Sequence, residues 1–120
     1  MKRRSEHRTR RVATLIKEAL AEALATKLKD PRIGFITVTG VRVSSDCAHA
    51  HITVSVMGTE EEKVRTMSGL TSAGGFLRTY LSRTLTLRST PELHFHIDRG
   101  LQSAARIDAI FDELNQDAQS

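Results

Sequence analysis

The sequence predicts an α+β domain, a small mixed sheet of three strands with helices on one face. Three observations carry this reading. A long stretch before Asp30-Pro31 repeats its apolar residues at three- and four-residue steps. Two runs of alternating apolar residues follow, separated by a short polar turn. A second helical stretch, interrupted at Gly74-Gly75, then leads to a third alternating run. Periods near 3.6 mark helices with one buried face, and period 2 marks half-buried strands.

In the first helix the apolar positions are Val12, Leu15, Ile16, Ala19, Leu20, Ala23, Leu24 and Leu28. Alanine-rich composition favours the helix. Asp30-Pro31 ends it, because the residue before proline is pushed out of the helical region. Ile36 and Val38 alternate with threonines, and then Val41 and Val43 continue on the other parity. The change at Thr39-Gly40 predicts a β-bulge. Ser44 to Ala48 reads as a polar turn. Ala50, Ile52, Val54 and Val56 alternate with His49, His51, Thr53 and Ser55, so the two strands should form an antiparallel hairpin.

Thr59 followed by Glu60-Glu61-Glu62 is a capping box with acids at the helix start. Val64, Met67, Leu70 and Thr71 mark the inner face of this helix. Gly74-Gly75 breaks the pattern, since glycine is costly inside a helix. A new stripe follows: Leu77, Tyr80, Leu81 and Leu85. After Thr90-Pro91, Leu93, Phe95 and Ile97 alternate with His94, His96 and Asp98 as a last strand. Ile107, Ile110, Phe111 and Leu114 define a short C-terminal helix. Strand, two helices and strand in that order favour a crossover between parallel neighbours. The strands around Val54 and Phe95 should therefore pair in parallel. This is the layout of a type II KH-like domain, a fold that binds RNA.

A chain of 120 residues is expected to form one domain with a core sufficient without disulfides or metal. Its only cysteine, Cys47, can form no internal bridge. No apolar run reaches membrane-spanning length and no signal-peptide core is present, so a cytoplasmic protein away from membranes is expected. Charge is unevenly placed. Lys2, Arg3, Arg4, Arg8, Arg10 and Arg11 lie in the first eleven residues with one acid, Glu6, a net of +5 against −1 for the rest. The expected organisation is a basic arm over 1–8, the KH-like domain over 9–114 and an acidic tail over 115–120. A basic arm favours a polyanion, most often nucleic acid. Aromatics make up only 4% with no Trp, which argues against bases stacked on an aromatic platform.

Three phrases add specificity by their order. Lys29-Asp30-Pro31-Arg32-Ile33-Gly34-Phe35 ends the first helix and opens a strand. Ser72-Ala73-Gly74-Gly75-Phe76 breaks the middle helices. Leu87-Arg88-Ser89-Thr90-Pro91-Glu92-Leu93-His94-Phe95 leads into the last strand. Together these phrases resemble ribosome-binding factor A, from about Arg11 to Leu114. The resemblance implies a non-catalytic factor, without cofactor or small-molecule substrate, that binds the free small ribosomal subunit rather than whole ribosomes. It further implies help in 16S rRNA 5′-end processing, a role in cold adaptation and action as a monomer.

A typical KH domain carries Gly-x-x-Gly between its helices to clamp a backbone. Here the junction reads Ser72-Ala73-Gly74-Gly75, which instead resembles the Ala-x-Gly kink of the family. Contact with the shape and phosphates of folded RNA is expected in place of a four-nucleotide clamp. The candidate RNA-binding residues are Arg3, Arg4, Arg8, Arg10 and Arg11, then Lys29 and Arg32, the kink Ala73, Gly74 and Gly75, and Arg78, Arg83 and Arg88. The kink glycines are expected to permit a geometry or a close approach that a Cβ would obstruct.

His49, His51, His94 and His96 are expected on the outer sheet face. His-x-His on a strand can hold zinc, but no acid lies between these histidines and no metal-protease motif occurs. No metal is therefore expected. Two other classes fit the residues: a histidine-metal nuclease, and a protein-interaction module using the sheet face or the acidic C-terminal helix.

Overall fold

The structure is a computed structural model that describes the backbone of residues 2–119 and the side chains of residues 6–113. Helix α1 covers Lys2–Thr26, followed by strands β1 (Ile36–Val43) and β2 (His49–Val56). Helices α2 (Glu60–Ser72) and α3 (Gly74–Thr84), strand β3 (Glu92–Ile97) and helix α4 (Leu101–Gln119) complete the chain. The sheet order is β1-β2-β3, with β1 and β2 antiparallel and β2 and β3 parallel. Val54 pairs with Ile97 and Ile52 with Phe95, in the parallel sense expected from the strand, helix, helix, strand order.

The expected bulge is present. The register shifts between Val38 and Gly40, so inward residues are even-numbered before it and odd-numbered after it. Thr39 and Thr53 brace it: Thr39 Oγ1 donates to the Thr53 carbonyl and Thr53 Oγ1 to the Gly40 carbonyl. The hairpin turn is held by side chains. Ser44 Oγ donates to Asp46 Oδ1 at 2.7 Å, and the Ala48 and His49 N–H groups donate to Asp46 Oδ1 and Ser44 Oγ. These bonds stabilise Cys47 at φ 58, a left-handed conformation that non-glycine residues seldom adopt.

One sheet face carries the main core. Ile16, Leu20 and Ala23 of α1 pack with Val38, Ala50, Ile52 and Val54 of the sheet and with Leu70, Leu77 and Leu81 of α2 and α3. Small residues such as Ala19 and Ala23 let α1 lie close to the strands. The inner face of α2 differs from expectation. Val64 is 66% exposed, while Thr66, Gly69 and Leu70 are buried. Loop residue Ile33 packs over Gly69, and the Thr66 hydroxyl donates to the Arg32 carbonyl at 3.3 Å. The face is thus chosen by the loop it meets rather than by its most apolar stripe.

Two further expectations need correction. Residues 2–8 are the first turns of α1, not a separate arm. Lys, Arg and Glu are good helix formers and no Gly or Pro lies between Lys2 and Thr26, so the helix propagates outward from its packed segment. Likewise the segment 115–119 continues α4, which is 19 residues long rather than short. Only α1, α2 and α3 share one face. Helix α4 lies on the other, with Ile107 and Phe111 buried. Its Phe111 ring meets His51 edge-on at 5.3 Å, and the Arg42 guanidinium sits 4.7 Å over that ring. Arg42 also pairs with Asp108, and the Ser103 hydroxyl donates to the Ile97 carbonyl at 2.9 Å. No helix among the described residues is long and apolar enough to cross a membrane.

Candidate nucleic-acid interface

Hydrogen bonds fix which loops share an end of the sheet. Arg8 Nη2 donates to the Ser45 carbonyl at 3.3 Å, tying the start of α1 to the hairpin turn. The Glu92 N–H donates to the Ala48 carbonyl, bringing the loop before β3 to the same turn. Arg78 Nη2 donates to the Thr90 carbonyl at 3.0 Å, drawing α3 to that loop. Arg83 lies in the last turn of α3 and Arg88 in the loop that follows. Arg8, Arg78, Arg83 and Arg88 therefore gather toward the hairpin-turn end, with Arg10 and Arg11 next to Arg8 on α1. All six are exposed. The side chains of Arg3 and Arg4 lie outside those described; their backbone is helical.

Lys29 and Arg32 fall at the opposite end, in the loop that opens β1. The candidate basic residues are thus divided between the two ends of the strands. Arg32 is also occupied. It forms a two-pronged pair with Asp30, with Nη2 2.7 Å from Oδ2 and Nε 3.1 Å from Oδ1, and the Arg32 N–H caps the same carboxylate. Those bonds hold the Asp30 carboxyl below its usual pKa range. The pair leaves Arg32 a weaker phosphate contact than its exposure suggests.

The kink is where the sequence puts it. Ala73 ends α2 at φ −83, ψ −1, and its N–H bonds back to the Gly69 and Thr71 carbonyls. Helix α3 starts at once with Gly74-Gly75-Phe76 and has no side-chain cap. A Cβ on Gly74 or Gly75 would meet no atom within 4 Å, and neither residue has positive φ. The expected internal obstruction is absent. The close approach is instead at Gly69, where a Cβ would stand 2.8 Å from Ile33 Cγ1. Gly69 escapes a reading of the sequence because a lone glycine inside a helical stretch carries no label of what it faces. Gly74 and Gly75 leave bare backbone at a helix start, facing outward. Gly74→Val and Gly75→Val should accordingly keep wild-type stability to within about 1 kcal/mol, measured by urea denaturation. A larger loss would show an internal role for the kink glycines.

The four strand histidines share the outer face in a ladder. His49 Nδ1 lies 3.0 Å from His94 Nε2, and His51 Nδ1 lies 2.8 Å from His96 Nε2. His51 also stacks on His94 at 4.7 Å. Burial beneath α4, helped by the neighbouring His94, His96, His49 and Arg42, pushes the His51 pKa down to about 4. Burial and Arg106 lower that of His96. Both rings are neutral at physiological pH. Next to the ladder, Arg99, Arg106, His96, Met67 and Phe95 line an open recess of about 400 Å³ beside β3. Neither arginine stands out in the sequence.

These features sit on a shared architecture. A family model described as ribosome-binding factor A matches residues 8–111. A solution structure of a Thermotoga maritima protein, named as a candidate ribosome binding factor A, is 38% identical, with a TM-score of 0.69 over 78% of this chain and 90% of that one. The crystal structure of ribosome-binding factor A from Thermus thermophilus is 30% identical, with a TM-score of 0.66 over 74% and 93%. A model of the Thermus thermophilus factor, fitted into a cryo-EM map of its 30S complex, is 33% identical, with a TM-score of 0.59 over 72% and 90%. The family match spans the kinked helix pair and the mixed sheet together, and on that ground the chain belongs to the ribosome-binding factor A family.

Proposed function

We propose that this protein binds the small ribosomal subunit through folded 16S rRNA and acts without catalysis. The observation that carries the proposal is the family match over residues 8–111, joined to a similar protein fitted into a 30S complex. The geometry supports it. Exposed arginines of α1, α3 and the loop before β3 gather at one end of the sheet, where they can follow phosphates. Bare backbone at Gly74-Gly75 starts a helix whose first N–H groups can approach a phosphate closely. Ala73, Gly74 and Gly75 are then a contact surface, with Lys29 and Arg32 as a second, weaker one.

The factor acts by binding energy alone. It holds one rRNA conformation more tightly than its alternatives and so shifts the folding equilibrium of a late precursor. On this reading it prefers free subunits to whole ribosomes, assists 5′-end processing of 16S rRNA, supports growth in the cold and works as a cytoplasmic monomer. The test is a sucrose gradient of cell lysate with the protein detected in each fraction. It should travel with free small subunits and be depleted from whole ribosomes. Sedimentation only with the unbound pool at low salt would overturn the proposal.

A further inference from the structure

The parallel register brings together residues that the sequence keeps far apart. His49 is paired with Glu92, and His51 with His94. Glu92, His94 and His96 alternate on β3 and share the outer face with His49 and His51. The acid absent between the histidines in sequence is therefore supplied across the sheet. His49 Nδ1 stands 3.0 Å from His94 Nε2 and 3.8 Å from Glu92 Oε2. All three ligand atoms lie within 4.8 Å of one another.

We propose that His49, Glu92 and His94 form a binding site for one divalent ion of the borderline class, zinc foremost, clasping the starts of β2 and β3. In a tetrahedral zinc site with bonds of about 2.0–2.1 Å, neighbouring ligand atoms stand roughly 3.3–3.4 Å apart. The two separations from His49 bracket that value, and rotation of the exposed Glu92 side chain closes the third edge. Two imidazoles and one carboxylate suit zinc, cobalt or nickel better than calcium or magnesium. With three protein ligands the fourth position stays open to water.

The surroundings hold the ligands in place. The His49 N–H donates to Ser44 Oγ at 3.0 Å, pinning that residue to the hairpin turn. The His94 ring lies flat on His51, 16° from parallel. His51 is fixed in turn by His96 and by Phe111 of α4. Ring partners of this kind set ligand orientation and so affinity. Arg42 is paired with Asp108, which limits the repulsion on an incoming cation. Without an ion, His49 and His94 share a hydrogen bond in which one ligand nitrogen carries the proton. Binding requires both facing nitrogens to be free of protons, so that each offers its lone pair to the ion. The Glu92 side chain is 62% exposed, so an ion reaches the site from solvent without opening the fold.

This inference does not depend on the proposed RNA binding, and its test uses no RNA. The full chain, prepared without a histidine tag and stripped with chelator, is titrated with zinc at pH 7.5 against a coloured competing chelator. The expected result is one zinc per chain with micromolar or tighter affinity, and a melting temperature that rises with zinc concentration. Cobalt in its place should give visible absorption bands of tetrahedral strength. Glu92→Gln, at an exposed position that leaves the fold intact, should weaken zinc binding at least tenfold, and His94→Ala should abolish the thermal shift. Cys47→Ser should bind as wild type. No thermal shift with excess zinc, wild-type affinity in Glu92→Gln, or loss of binding in Cys47→Ser would each overturn the proposal.

Discussion

Replacing Arg3, Arg4, Arg8, Arg10 and Arg11 together with Gln should give a folded protein that binds small subunits much more weakly at low salt. These residues hold five of the six bases in a segment of net charge +5, on a chain whose remainder is −1. On the proposed function, long-range attraction to rRNA should therefore come mostly from them. Each phosphate neutralised contributes roughly 0.7 to 0.9 to the slope of log affinity against log salt. Loss of about three phosphate contacts should flatten that slope by about two to three units. The fold should survive, because these turns of α1 precede Val12, its first core-packed residue, and glutamine is nearly as good a helix former as arginine. The one described tie that is lost, Arg8 to the Ser45 carbonyl, is exposed and weak at 3.3 Å. Preference for small subunits over other RNA should remain, since shape selection lies in the folded body. Titrations across a salt series for both proteins decide the matter. An unchanged slope would move the electrostatic contact to Arg83 and Arg88, with Lys29 and Arg78 behind them.

The second large effect is expected from a residue far from any charge. Gly69→Val should destabilise the protein by about 2–3 kcal/mol, the upper part of the range for overpacking a tight contact. The added Cβ would sit 2.8 Å from Ile33 Cγ1 and 3.4 Å from Arg32 Cβ. The loop has little freedom to retreat, because the Arg32 carbonyl and the Gly34 N–H both bond to the Thr66 hydroxyl on the same helix. Urea denaturation should show a lower midpoint with an unchanged slope. Combining Gly69→Val with Ile33→Ala should recover part of the loss, since the second change removes the atoms in conflict. The same valine at Gly74 points into open space, so the pair of glycines separates an internal contact from an outward surface. A Gly69→Val protein as stable as wild type would remove the packing argument.

Much of this molecule is legible along the chain. Alternation and its parity change at Thr39-Gly40 specify the strands and the bulge, because side-chain direction in a strand has a strict period of two. The glycine pair after Ala73 marks the helix break, and the Thr59 cap opens α2. The parallel pairing of β2 and β3 follows from the need to cross back over one face. Local chemistry also placed the basic run, although the chain continues it as helix rather than as an arm.

What remained hidden depends on which surfaces meet. An apolar stripe says that a helix face is buried but not against what. So α4 went to the outer face of the sheet, over His51, and α2 turned Thr66 and Gly69 inward while Val64 stayed exposed. A charged residue in sequence carries no sign of its partner, and Arg32 is paired with Asp30. Glu92 stands far along the chain from His49, yet the parallel register sets them side by side. By itself the sequence determined the elements, their order and the family, since these rest on local periodicity and short phrases. Only the tertiary structure decided the split of the basic surface, the face taken by α4 and the histidine–glutamate cluster. Those are contacts between distant segments, set by packing and strand register, which no local pattern encodes.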